Sequence, residues 1–418
     1  MSKIFEIKSR QVFDSRGFPT VQSDVILEDG SMGSAIVPSG ASTGSHEACE
    51  LRDSDPKYLN KSVLNAVENV NHSINNHLKG KNSLEQEKID QLLIDLDGTN
   101  NKSKLGANSI LSVSIANCKA AAKSQKKEIF HYLSRDNNYK LPFPLMNIIN
   151  GGAHANNSLN IQEFMIRPDG ANSFSECMQM AFLTIQNLKK LLESKKMNTS
   201  VGDEGGFAPN LNSDEDAIDL ILDSIEKSGF KPGQDISLCL DVASNELYDG
   251  KEYSIITGKK ISPAELIDYY ASLANKYPIK SIEDPIFEDD WKSWSDLNNK
   301  IGDTTQIVGD DLFVTNHERL SKGIQESSAN AILIKLNQIG TVSETLKTIY
   351  LAQNNNFKTI ISHRSGDTED TFISDLAIAT KSNQIKTGSL ARSERVAKYN
   401  RLLKIEEILN SPGMSKLK

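Results

Sequence analysis

The chain has 418 residues, 38% of them hydrophobic and 24% charged. That composition excludes a disordered chain, and the length predicts two or three domains, one of which can be an α/β barrel of about 250 residues. Lys and Arg total 47 against 55 Asp and Glu, a net charge of −8; this excludes a general nucleic-acid binder, and any anion site must be built locally. Cys49, Cys118, Cys177 and Cys239 are scattered with no CxxC pair, so structural zinc is unsupported and a reducing compartment is expected. The opening MSKIFEIKSRQVFDSRG carries charges throughout and no stretch approaches the ~20 apolar residues of a membrane span, so a cytoplasmic protein is expected.

Alternation in IFEIKSRQVFDS and TVQSDVILEDG predicts a strand meander over residues 1–37. PSGASTGSHE, 38–47, is dense in small residues and reads as a loop that moves. Helical patterns follow over 63–77, from about 83 to 93, and over 107–125. Together these make an α+β unit over 1–135, and the polar, proline-bearing RDNNYKLPFP marks a boundary to a second domain over 136–418.

Beyond the boundary, short β-rich runs each end in a polar or charged residue, and each is followed by a helical segment. ISLCLD ends at Asp241, IKSIED reaches Glu283, TQIVGDD reaches Asp310, AILIKLN holds Lys335, KTIISHRS holds His363 and QIKTG holds Lys386. YDGKEYSIITGKK reads as an insertion between the first two. In a barrel of parallel strands the C-terminal strand ends converge on one mouth, where such enzymes carry out their chemistry.

Asp241, Glu283 and Asp310 are then three hard oxygen ligands on neighbouring strands, a set suited to Mg²⁺. Lys335 follows four apolar residues, so it is either a buried base whose pKa burial lowers or one half of a structural ion pair. His363, Arg364 and Ser365 offer a guanidinium beside a hydroxyl, a phosphate grip, and Lys386 is a second fixed cation. Glu204 lies in GDEGG, whose glycines allow close backbone approach; with Glu163 it is a candidate acid. His154, in GGAHA, either contacts a ligand or braces its loop. The set points to removal of a proton from the carbon beside a carboxylate, with metal ions stabilising the enediolate.

With these residues in place, the sequence resembles the enolase family nearly end to end. The motifs are DSRGFPTV (14–21), PSGASTG (38–44), NKSKLGANSILSVS (101–114), NIINGGAHA (147–155), QEFMI (162–166), GDEGGFAPN (202–210), SIEDP (281–285), VGDDLFVTN (308–316), IKLNQIGT (334–341), SHRSGDTED (362–370) and KTGSLARSERVAKYNRLLKIE (386–406). The resemblance implies an α+β cap followed by an eight-stranded (β/α) barrel whose first units are not all parallel. It implies Mg-dependent, reversible dehydration of 2-phosphoglycerate to phosphoenolpyruvate, with two Mg²⁺ ions per site. Lys335 would be the base and Glu204 the acid, helped by Glu163. Asp241, Glu283 and Asp310 would hold one Mg²⁺, and Ser42 would help hold the second. Arg364 and Ser365 would bind phosphate, Lys386 would neutralise the carboxylate, and His154 and His363 would line the pocket. A dimer or octamer is implied. So are secondary roles at the cell surface, where the family binds plasminogen, and in RNA-degrading complexes; the sequence does not choose among them. A related barrel enzyme acting on an unphosphorylated carboxylate would have no use for the Arg364–Ser365 grip.

Overall fold

The computed structural model describes every residue except Met1, Ser42, Ala153, His154, Asn156, Ser158, Ile256, Thr257 and Lys418. Strands β1 (Ile4–Phe13), β2 (Pro19–Leu27) and β3 (Met32–Ile36) form the expected antiparallel meander. Asp14 Oδ1 shapes the first turn by accepting from the N–H groups of Arg16 (2.8 Å) and Phe18 (3.0 Å). Helix Ala107–Ser124, buried on almost every side, lies across this sheet. The approach is close enough that a Cβ on Gly33 would sit 2.1 Å from the Ala116 carbonyl oxygen, so only glycine fits there.

The predicted 63–77 helix is one helical run with a wide π turn, Val70–Ile74, between Leu64–Asn69 and Asn75–Leu78. Its polar residues serve the edge of β1. Asn75 Oδ1 accepts from the Ile7 N–H at 2.8 Å and Asn71 Oδ1 from the Ser9 N–H at 2.7 Å, covering an otherwise unpaired strand edge. The next helix runs Gln86–Asp97, a few residues later than the sequence predicts. It stops where Gly98 turns left-handed at φ 70°.

The remaining strands are β4 (Phe143–Asn150), β5 (Glu163–Arg167), β6 (Ser237–Asp241), β7 (Tyr253–Ser254), β8 (Lys260–Ile261), β9 (Ile279–Glu283), β10 (Gln306–Gly309), β11 (Ala331–Ile334), β12 (Lys358–Ser362) and β13 (Gln384–Lys386). Strands β7 and β8 form a small hairpin where the sequence predicts an insertion. The other eight close into a barrel in the order β4-β5-β6-β9-β10-β11-β12-β13. Strand β5 runs antiparallel to both β4 and β6, and the other neighbours are parallel. Helices Pro263–Lys276, Trp291–Ile301, His317–Gln325, Val342–Asn354 and Phe372–Ala379 alternate with the later strands.

The barrel interior is layered because alternate residues of each strand point inward. Leu145, Met165, Cys239, Val308, Ala331, Leu333 and Ile360 pack together at mid-height. At the floor, Arg167 donates to Gln384 (2.8 Å), Gln384 to Gln306 (2.8 Å) and Gln306 to Ser281 (3.0 Å), so these buried polar groups satisfy one another. The same alternation sends Asp241, Glu283 and Lys386, two residues beyond Cys239, Ser281 and Gln384, to the opposite end. No described helix is long and apolar enough to cross a membrane.

Candidate active site

The strand tips meet. Glu163, Glu204, Asp241, Asp310, Lys335, His363, Arg364, Ser365 and Lys386 all line one cavity at the barrel mouth, together with Gln162, Asp284 and Asp311. Glu163 arrives by a route the strand-end rule does not cover. Strand β5 runs downward, so its first residue, not its last, faces the mouth, directly opposite Asp241. Ser42 and His154, both expected at the site, lie outside the described residues.

Lys386 is the inner cation. Its Nζ donates to Asp241 Oδ2 at 2.8 Å and to the Glu283 oxygens at 2.9 and 3.0 Å, and it lies 3.1 Å from Glu163 Oε1. Burial works to lower its pKa, but Asp241, Glu163 and Glu283 outweigh that and hold it well above the ordinary lysine value. Lys335 Nζ donates to Asp310 Oδ2. Here the structure corrects the sequence-based expectation of a lowered lysine pKa. Burial does pull Lys335 down, yet the carboxylate of Asp310 in contact with it leaves its pKa above the ordinary value.

The expected metal ligands share the mouth but do not form the tightest carboxylate group. Among the described residues that group is Asp284, Asp310 and Asp311, with one oxygen of each within 4.8 Å of the others, while Asp241 and Glu283 close on Lys386. The sequence left Asp284 unassigned. Simple alternation points it away from its neighbour Glu283. A left-handed backbone at φ 41° turns it instead to accept from the N–H groups of Asp310 (2.8 Å) and Asp311 (2.9 Å). Burial, then repulsion by neighbouring carboxylates, raises Glu163, Glu283 and Asp284 well above the carboxylate range and Asp311 to about 8. Glu163, Glu204, Asp241, Glu283, Asp284, Asp310 and Asp311 outnumber the cavity's cations Lys335, Lys386 and Arg364. Buried carboxyl groups crowded enough to raise one another's pKa offer oxygen ligands suited to a hard divalent cation, which would displace the protons they hold.

Across the cavity, Glu204 Oε2 lies 3.4 Å from both Asn147 Nδ2 and His363 Nε2. Arg395, fully buried and given no role by the sequence reading, donates to His363 Nδ1 at 2.6 Å. That bond makes Nδ1 the acceptor and leaves the proton on Nε2, facing Glu204. Burial first, with the Arg395 charge assisting, pushes His363 down to about 4. Arg395 also donates to the carbonyls of Arg364 (2.6 Å), Ser365 (2.6 Å) and Asp203 (3.0 Å), tying the two loops together. The tight GDEGG turn takes the form its glycines predict. Gly205 has φ 84°, and a Cβ there would lie 2.8 Å from the Ala391 carbonyl oxygen.

Described residues of the 38–47 loop bond to the turn that follows β12. Ser39 and Gly366 exchange backbone hydrogen bonds of 2.7 and 2.9 Å, and the Ala41 N–H donates to Ser365 Oγ at 2.7 Å.

A closed barrel whose mouth gathers buried lysines and carboxyl groups beside a loop from the N-terminal α+β unit has the form of a barrel enzyme. Comparison with known proteins makes this specific. Residues 4–133 match the family model "Enolase, N-terminal domain" and residues 138–416 match "Enolase, C-terminal TIM barrel domain". The enolase of Pelagibacter ubique (strain HTCC1062) is 60% identical over 419 residues, covering 100% of both chains. The chain belongs to the enolase family and is a lyase of the phosphopyruvate hydratase type.

Proposed function

We propose that the chain catalyses the reversible dehydration of 2-phosphoglycerate to phosphoenolpyruvate, in glycolysis and gluconeogenesis, with two Mg²⁺ ions per site. The observation that carries this reading is the surplus of buried carboxylates interleaved with Lys335 and Lys386 at one barrel mouth. Asp241, Glu283 and Asp310 would hold one Mg²⁺ and Ser42 would help hold the second; Asp284 and Asp311 add to the same negative field. Bound Mg²⁺ would neutralise the substrate carboxylate and draw the Asp310 charge away from Lys335, easing its loss of a proton.

Lys335 removes the proton beside the carboxylate, giving the enediolate. Glu204, with Glu163 and the Nε2–H of His363 nearby, protonates the departing hydroxyl. Burial holds the Glu163 carboxyl well above the ordinary range, so it keeps a proton near neutral pH beside the Glu204 acid. Lys386 offsets the substrate carboxylate, and Arg364 with Ser365 holds the phosphate. By the family resemblance His154 would line the pocket.

Residues 1–135 act as the cap and 136–418 as the catalytic barrel of a cytoplasmic homo-oligomer. Exposed Phe5, Phe13, Phe18 and Leu59 supply apolar surface on the cap for subunit contact. The test is steady-state formation of phosphoenolpyruvate, followed by its ultraviolet absorbance, with Mg²⁺ and after chelation. Activity that needs Mg²⁺ and returns on adding it back supports the reading; undiminished activity in metal-free protein refutes the cation assignment.

A further inference from the structure

We propose that Glu47, carried by the cap's loop, is a positioning residue that fixes the guanidinium of Arg364 for phosphate. The inference rests on the reading of Arg364 as the phosphate grip. Glu47 Oε2 accepts from Arg364 Nη1 at 3.0 Å and Oε1 from Nη2 at 3.1 Å, so the carboxylate meets the guanidinium fork to fork. Both side chains are buried, with 8% and 3% exposed. Asn337 Oδ1 accepts a further bond from Nη1 at 2.8 Å. A planar fork held at both oxygens has its orientation fixed before any ligand arrives.

Glu47 also ties this arginine to the rest of the mouth. Its Oε1 accepts from the Gly44 N–H (3.2 Å), inside the PSGASTG loop, and from Gln338 Nε2 (3.4 Å), which also donates to Asp310 Oδ1 at 2.8 Å. Asn337 Nδ2 in turn donates to the Pro38 carbonyl at 3.3 Å. The same carboxylate therefore anchors the loop and aims the arginine, so phosphate binding and the seating of the loop are coupled through Glu47.

Charge and positioning predict opposite signs, which makes the inference decidable. A carboxylate beside an anion site repels phosphate, so by charge alone Glu47→Gln binds phosphate more tightly. If Glu47 positions Arg364, the variant binds more weakly, because the amide breaks the fork. The experiment compares wild type, Glu47→Gln, Arg364→Lys and the double variant, reading KM and kcat for 2-phosphoglycerate and calorimetric binding of inorganic phosphate. Expected are a rise of about tenfold in KM and in the phosphate Kd for Glu47→Gln, with kcat within about threefold, the signature of lost uniform binding. In the Arg364→Lys background the same change has little further effect. Equal or tighter phosphate binding, or an undiminished effect in the lysine background, overturns the inference. Asn337→Ala, which alters no charge, shifts phosphate binding in the same direction; no shift counts against the inference and keeps it decidable if Glu47→Gln folds poorly. Phosphate calorimetry decides the inference even if wild type does not turn over 2-phosphoglycerate, an outcome that refutes the assigned reaction instead.

Discussion

Replacing Lys386 with Met tests whether the barrel mouth is held together by its charges. The Nζ lies 2.8 Å from Asp241, 2.9 Å from Glu283 and 3.1 Å from Glu163, and the side chain is 3% exposed. Methionine fills similar volume, so little packing is lost. Removing one partner of a buried ion pair costs about 3–5 kcal/mol, and with three carboxylates left behind the upper part of that range applies. A barrel of this size unfolds with a urea m-value of about 3 kcal/mol/M, so the midpoint in metal-free buffer falls by about 1.3–1.7 M. The sign with pH follows from the carboxylates. Glu163 and Glu283 already have folded pKa values above their ordinary ones; the stability this linkage gives is present at low pH and lost as pH rises through the folded values. Without the lysine those values rise further, so the variant's deficit grows from acid to neutral pH. Urea titrations at two pH values, with chelator and with Mg²⁺, measure this. Added Mg²⁺ restores part of the midpoint. A shift below about 0.3 M, or one independent of pH, refutes the reasoning.

Two other predictions concern residues with no reacting role of their own. Asp90 joins the cap to the barrel: its Oδ1 accepts from Ser114 Oγ (2.6 Å) and Gln86 Nε2 (3.0 Å), and its Oδ2 from the Ser343 N–H (2.9 Å) and Oγ (2.6 Å). Burial holds it up to about 6, so its proton-linked stability is present below pH ~4 and lost as pH rises through about 6. Asp90→Asn, which cannot titrate, therefore gains on wild type by up to about 3 kcal/mol across that window in pH-dependent unfolding, and a constant difference between the two contradicts this. Gly205→Ala forces a Cβ into a left-handed turn and against the Ala391 carbonyl. It costs at least about 1–2 kcal/mol in a denaturant titration and lowers kcat by displacing Glu204; a neutral effect on both means that the turn relaxes freely.

Much of the site was legible because a barrel converts sequence order into convergence. Once each buried strand ends in a charged residue, Asp241, Glu283, Asp310, Lys335, His363 and Lys386 have one place to meet. What stayed hidden depends on local backbone or on tertiary partners. Asp284 enters through a left-handed turn that alternation does not anticipate. Arg395 comes from a helix remote in sequence, and only the packed structure shows its side chain passing beneath the His363–Ser365 turn. The ionisation of Lys335 is set by contact with Asp310 twenty-five positions earlier, so sequence context gives its burial but not the direction of its pKa. In the cap, Gly98 sets a helix end that the apolar pattern alone placed a few residues early.

The proposed division of labour between Lys335 and Glu204 has a direct readout. In deuterated water with Mg²⁺, wild type, Lys335→Ala and Glu204→Gln are incubated with 2-phosphoglycerate, and deuterium at the carbon beside the carboxylate is followed by NMR. Glu204→Gln should still exchange that hydrogen while forming almost no phosphoenolpyruvate, and Lys335→Ala should do neither. Exchange at the wild-type rate in Lys335→Ala would contradict the assignment of the base at the barrel mouth.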